Sequence, residues 1–139
     1  MKKTTITICI TLLLTAMLCA CAPAVTFQTS GGQYDVVKIS ASETALEHTA
    51  PSGQTLLTIT LKTSSKNLDD AQASFMPADG GEPCYVTDGG EQYPCKSLAF
   101  ESNGVSDQIV LLFEVPSDWT HSKEFSLGGA GFAAVALKK

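Results

Sequence analysis

Hydrophobic and polar residues alternate along much of this chain, and a period of two is the signature of half-buried strands. Tyr34 to Ala41 places Val37, Ile39 and Ala41 on one face and Val36, Lys38 and Ser40 on the other. Thr55 to Thr63 alternates more cleanly, setting Leu57, Ile59 and Leu61 against Thr58, Thr60 and Lys62. Gln108 to Pro116 is the most apolar run. Ile109, Leu111, Phe113 and Val115 share a face there, and Val110 and Leu112 leave little polar surface opposite, so this strand belongs in the middle of its sheet. Pro116 ends it, because proline brings no N–H to a ladder. Glu124–Leu127 and Ala133–Leu137 follow the loop that holds Trp119 and His121, and an edge strand fits around Val25–Gln28. About seven short strands with one helical candidate predict a two-layer antiparallel β-sandwich.

The intervening stretches carry turn chemistry. Glu43 to Gln54 contains Pro51-Ser52-Gly53 and only one sizeable hydrophobe, Leu46, so it reads as a long loop. Asn67 to Phe75 fits a helical turn capped by Asn67, with Asp69 and Asp70 near its positive end; an irregular crossing between layers fits equally. Gly128-Gly129-Ala130-Gly131 reads as a bend between the last two strands, since it lacks the spacing and the lysine of a phosphate loop.

One register follows from the residues alone. Cys84 to Cys95 has Gly89-Gly90 at its centre, which suits a two-residue turn with positive φ. Counting outward pairs Thr87 with Gln92, Val86 with Tyr93, Tyr85 with Pro94 and Cys84 with Cys95. Bonded and non-bonded pairs alternate along such a ladder, so Pro94 falls where its missing N–H costs nothing. Cys84 and Cys95 then form a bonded pair with Cα atoms about 5.5 Å apart, within disulfide range. A disulfide is the leading reading of this pair; free thiols or a two-thiol metal pair are the alternatives.

The N-terminus changes the picture. Lys2 and Lys3 precede an apolar run from Thr4 to Met17, the layout of a secretory signal. That run is shorter than the about 20 residues a membrane helix needs. Leu18-Cys19-Ala20-Cys21 then resembles the lipobox of bacterial lipoproteins, which are cleaved before the cysteine and carry diacylglycerol on its thiol. The resemblance implies a signal peptide at residues 1–20, lipidation of Cys21, and a short spacer over 21–32 ahead of a domain at 33–139. An ordinary signal peptide with an incidental cysteine is the plainer alternative. Ala22 offers no aspartate retention signal, and the outer face of the cytoplasmic membrane is the expected location.

Charge then narrows the partners. The full chain carries −5, and losing Lys2 and Lys3 takes the remainder to −7, with no arginine anywhere. Phosphate backbones are bound by clustered Lys and Arg, so a nucleic-acid partner is not expected. An even pair of cysteines outside the cytoplasm accords with a disulfide.

Three stretches, Gln54 to Lys62, the hairpin Val86 to Tyr93, and Leu112 to Pro116, resemble the immunoglobulin-like surface lipoproteins of Gram-positive bacteria. Those are fold relatives of the mycobacterial immunoprotective extracellular antigen, and their domain has no assigned function. The resemblance spans roughly Gly32 to the end and implies an all-β, immunoglobulin-like antiparallel sandwich. It brings no functional residues with it. The cysteine pair and the thin Asn67 to Phe75 region depart from the pattern.

Candidate chemistry is sparse. Asp79-Gly80-Gly81-Glu82 recurs as Asp88-Gly89-Gly90-Glu91; four carboxylates can hold calcium, but Asp-Gly-Gly is first of all turn chemistry. His48 and His121 are the two candidate neutral-pH bases, each in a polar loop, and no nucleophile-elbow motif is present. Trp119 and Tyr85 read as buried aromatics before recognition aromatics. The expectation is therefore a non-catalytic, lipid-anchored module, without a cofactor, that binds a protein or envelope component. A carrier of a small ligand or divalent metal on the Asp79 to Glu91 carboxylates is the alternative.

Overall fold

The alternating runs become strands in the computed structural model, which describes residues 25–63, 68–102, 107–121 and 123–139. In chain order they are β1 (Val25–Thr29), β2 (Gly32–Ser42), β3 (Thr44–Ala45), β4 (His48–Thr49) and β5 (Gln54–Thr63). Helix α1 (Leu68–Phe75) comes next, then β6 (Tyr85–Thr87), β7 (Gln92–Ser102) and β8 (Asp107–Pro116). A 3-10 turn at Ser117–Thr120 leads to β9 (Glu124–Gly129) and β10 (Phe132–Lys138). The expected signal segment, the lipobox, Cys21 and the Asn67 cap lie outside the described residues.

Eight strands form one antiparallel sheet in the order β1-β2-β5-β8-β7-β6-β9-β10, curled nearly into a barrel. The all-β expectation holds. β6, β7 and β8 are joined as successive hairpins, with β5 beside β8 and β9 beside β6, so two overlapping sets of four strands have Greek-key order. The first and last strands meet through side chains: the Phe27 and Phe132 rings lie 5.5 Å apart. The strand suggested around Val25–Gln28 is β1, paired with β2 from Val25↔Val36 to Thr29↔Gly32, so the sheet begins inside the expected spacer.

β8 is central, as its sequence implies. Ile109, Leu111, Phe113 and Val115 are fully buried, and so are Leu57, Ile59 and Leu61 of the neighbouring β5. Each such aliphatic or aromatic side chain contributes about 1.5–3 kcal/mol on burial. On the other face, Val110 is flanked by Thr60 and Ala99, and Leu112 by Thr58 and Ser97; both are buried.

The β2 faces differ from the simple alternation. The register shifts between Val36 and Lys38, and a bulge adds one residue that reverses the phase. Val36 and Ile39 both pack on the core, and Val37 is turned out, 45% exposed. β7 also bulges, between Cys95 and Ser97. Its first part pairs with β6 and its second with β8, so it continues past the hairpin to Ser102 and turns the corner of the sheet.

Glu43 to Gln54 is more than a loop, because β3 and β4 pair as a small separate hairpin. Its turn uses Leu46 at φ 48° and Glu47 at φ 64°, a left-handed pair that glycine or asparagine usually supplies. That is why no turn signal is visible in the sequence.

Within the stretch expected as either a helical turn or a crossing, Leu68–Phe75 is a helix. Asp69 and Asp70 occupy the first turn of α1, where the helix dipole favours them. Ala71 and Phe75, four residues apart, bury one face. Phe75 meets Tyr34 edge-on at 4.9 Å and Phe132 at 5.7 Å, closing one end of the curled sheet. The β1–β2 turn fits the helix only because Gly31 has no side chain: a Cβ there would stand 2.7 Å from the Asp70 carbonyl. At the other end Trp119, 1% exposed, packs on Phe125 at 5.4 Å and Tyr93 at 5.6 Å.

Candidate functional site

The β6–β7 hairpin has the register read from its residues, with Thr87↔Gln92, Val86↔Tyr93 and Tyr85↔Pro94. Cys95 N–H donates to the Cys84 carbonyl at 2.7 Å, and the Cys84 N–H is taken by the Phe75 carbonyl at 2.8 Å, so the hairpin base is tied to the end of α1. Cys84 and Cys95 are free thiols in this structure, 1% and 3% exposed. The Cys95 thiol donates to the Ser97 carbonyl at 3.3 Å. A hydrogen bond to the Cys95 sulfur, and then burial, push the Cys84 thiol up. Metal binding and nucleophilic attack need a thiolate, so the environment of Cys84 disfavours both. The hydrogen bond with Cys84 acts the other way on Cys95 and holds its thiol below the usual range.

Both Asp-Gly-Gly stretches prove to be turns, with positive φ at their first glycines: 77° at Gly80 and 102° at Gly89. The four carboxylates do not gather. Among the described residues no three His, Cys, Asp or Glu side chains form a group able to hold a metal, and Asp79, Glu82, Asp88 and Glu91 are all exposed. Asp88 serves its own hairpin. It pairs with Lys123 at 3.1 Å and accepts from Gly90 N–H at 3.2 Å, and these partners, Lys123 first, hold its carboxyl below the usual range. Lys123 in turn lies 5.4 Å over the Trp119 ring, so the hairpin tip is clamped to the β8–β9 connection.

His48 is exposed on β4, and His121 is exposed after the 3-10 turn, its N–H donating to the Asp118 carbonyl at 3.4 Å. Ser42, near His48 in sequence, spends its hydroxyl on the Thr44 carbonyl at 2.8 Å. Trp119 is a core residue and Tyr85 a half-buried one. The bend between the last strands is the turn at residues 130–131, with Gly128 and Gly129 inside β9.

The surface feature that remains is a groove of about 640 Å³ at the seam between the two free edges of the sheet. It opens between Val25 at the start of β1, Phe125 on β9, and Ala136 and Leu137 on β10, with the β6–β7 tip along one side. β1 and β10 share no ladder among the described residues, so the seam closes through aromatic contact at Phe27 and Phe132 and stays open beside Val25. Nothing local in sequence marks the groove, because its walls come from four separate elements. A smaller, more polar hollow of about 320 Å³ lies at the β7 corner, between Tyr93, Lys96 and Glu114. Among the described residues no helix is long and apolar enough to cross a membrane. Neither a protein-family model, a curated protein nor a solved structure matches the chain.

Proposed function

We propose that this chain is an extracytoplasmic, lipid-anchored binding module, non-catalytic, held at the membrane by Cys21, and that the seam groove beside Val25 is its recognition surface. The groove carries the reading. Unpaired sheet edges offer backbone donors and acceptors to a partner, and alanines along β10 leave that edge accessible. The position of the groove also fits, since Val25 is only four residues from Cys21. An immunoglobulin-like sandwich is part of the same proposal. It is supported by the corner in β7, where the strand passes from pairing with β6 to pairing with β8.

The test is photo-crosslinking on living cells from a photoreactive residue placed at Ala136 of the full-length chain, followed by mass spectrometry. One dominant adduct is expected. A haul indistinguishable from that of the same probe at exposed Phe100 would remove the groove as the binding surface.

A further inference from the structure

We infer that the occupant of the seam groove is a phospholipid of the bilayer to which the chain is anchored, its acyl chain against Val25, Ala136 and Leu137 and its phosphate at Lys138. This rests on the reading that Cys21 is lipidated. Chain length supplies the first argument: three residues separate Cys21 from Val25, and the four steps between them span at most about 14 Å. A domain tethered that closely holds the Val25 edge against the membrane, so bilayer lipid is the component present at the groove mouth in highest concentration.

The lining supplies the second. Val25 is one of three large hydrophobes left exposed among the described residues. With exposed Ala136 and the largely buried Leu137 and Phe125 it gives the groove its apolar lining. Lys138 stands at the same site, and its ion pair with Glu124 is loose, 4.0 Å between two well-exposed side chains. An ammonium so weakly held is available to a phosphate, and the Ser126 hydroxyl beside it can donate as well. Asp88, paired with Lys123, and Glu124 line the groove as well, so its rim holds one loosely paired ammonium beside two carboxylates; that ammonium and the apolar lining are the parts that match a phospholipid.

The chain carries its own reporter. Trp119 is its only tryptophan, buried, with its ring 5.4 Å from Phe125, which lines the groove. Bromine quenches indole fluorescence at short range. The lipidated full-length protein is reconstituted in phosphatidylglycerol vesicles with brominated acyl chains, and its emission is compared with that in unbrominated vesicles. Clear quenching is expected, and Ala136→Glu should abolish it while leaving vesicle association through Cys21 and the far-UV spectrum unchanged. Phe100→Ser, on the stretch of β7 that pairs with β8 and outside the groove lining, should leave the quenching intact. Intact mass reports the anchor separately. No quenching with Cys21 acylated overturns the groove proposal alone. No acylation at Cys21 overturns the anchor and this inference together. Quenching that persists in Ala136→Glu or disappears in Phe100→Ser places the lipid on another face and also overturns it.

Discussion

Tyr85 lies across Gly128. The two are register partners between β6 and β9, and a Cβ at Gly128 would stand 2.7 Å from the Tyr85 ring and hydroxyl. Gly128 has no positive φ, so steric room for the ring, and not backbone freedom, is what the position demands. Gly129 repeats the arrangement one residue on, beneath the Phe132 ring of β10. Aromatic cover of a strand glycine fills the missing side chain and pins register.

Gly128→Ala should therefore cost about 1–3 kcal/mol, the usual price of overpacking. Most of that cost should vanish in a Tyr85→Ala background, where the obstructing ring is gone. Urea unfolding of the four proteins in this cycle measures the coupling, and additive effects would show that the ring is not the obstacle.

Cys84 and Cys95 face each other at the base of the hairpin. Under the proposed extracytoplasmic location they are expected to be joined, giving an intact mass lower by two hydrogens than the reduced chain. Closing so short a loop should stabilise the domain by about 2–3 kcal/mol on the loop-entropy argument. The unfolding midpoint should drop when reductant is added, and two alkylatable thiols in the unreduced protein would end the expectation.

Asp88 links a surface ion pair to pH. Its folded-state pKa is depressed by Lys123 and by Gly90 N–H, so its contribution is present above the unfolded value of about 3.9 and lost as pH falls through the folded one. Asp88→Asn should be less stable than the parent at pH 7, and the gap should close below about pH 4. A gap of constant size across pH 7 to 2.5 would mean that the carboxylate charge is not the contributor. Raised salt should shrink the gap at pH 7, since the pair is exposed.

Tyr34 is buried next to Thr29 and Ser74, yet neither contact gives its hydroxyl a hydrogen bond of ordinary geometry. Burial, the largest influence, raises its pKa despite those two neighbours. A buried hydroxyl without a partner is a cost, so Tyr34→Phe should be neutral or stabilising by up to about 1 kcal/mol. Because the folded pKa lies above the unfolded one, the parent should lose stability as pH rises beyond about 10, and the phenylalanine variant should lose less. A loss above about 1 kcal/mol at pH 7 would show that the hydroxyl is well bonded after all.

Glu47 sits in the left-handed region at φ 64°, where a side chain costs roughly 1 kcal/mol and glycine costs nothing sterically. Glu47→Gly should leave stability unchanged or raise it, against the usual penalty for introducing glycine. Thermal unfolding of the pair decides, and a clear loss would show that the β3–β4 turn draws support from the glutamate side chain.

Local relationships were legible in the residues. Thr55 to Thr63 and Gln108 to Pro116 announce their core faces because pleating has a strict period of two, and Gly89-Gly90 sets the hairpin register because a tight turn fixes which residues oppose each other. By the same counting Cys84 was placed opposite Cys95. Tertiary structure alone decided the features that depend on distant partners. The bulge at Val37 reverses the β2 faces to meet β5, and β7 turns its corner at Lys96 to reach β8. Leu46 and Glu47 hold a turn that their own preferences oppose. The groove is the extreme case. Its walls belong to β1, the β6–β7 tip, β9 and β10, and they come together only when the curling sheet brings its first and last strands side by side, a closure that no local pattern encodes.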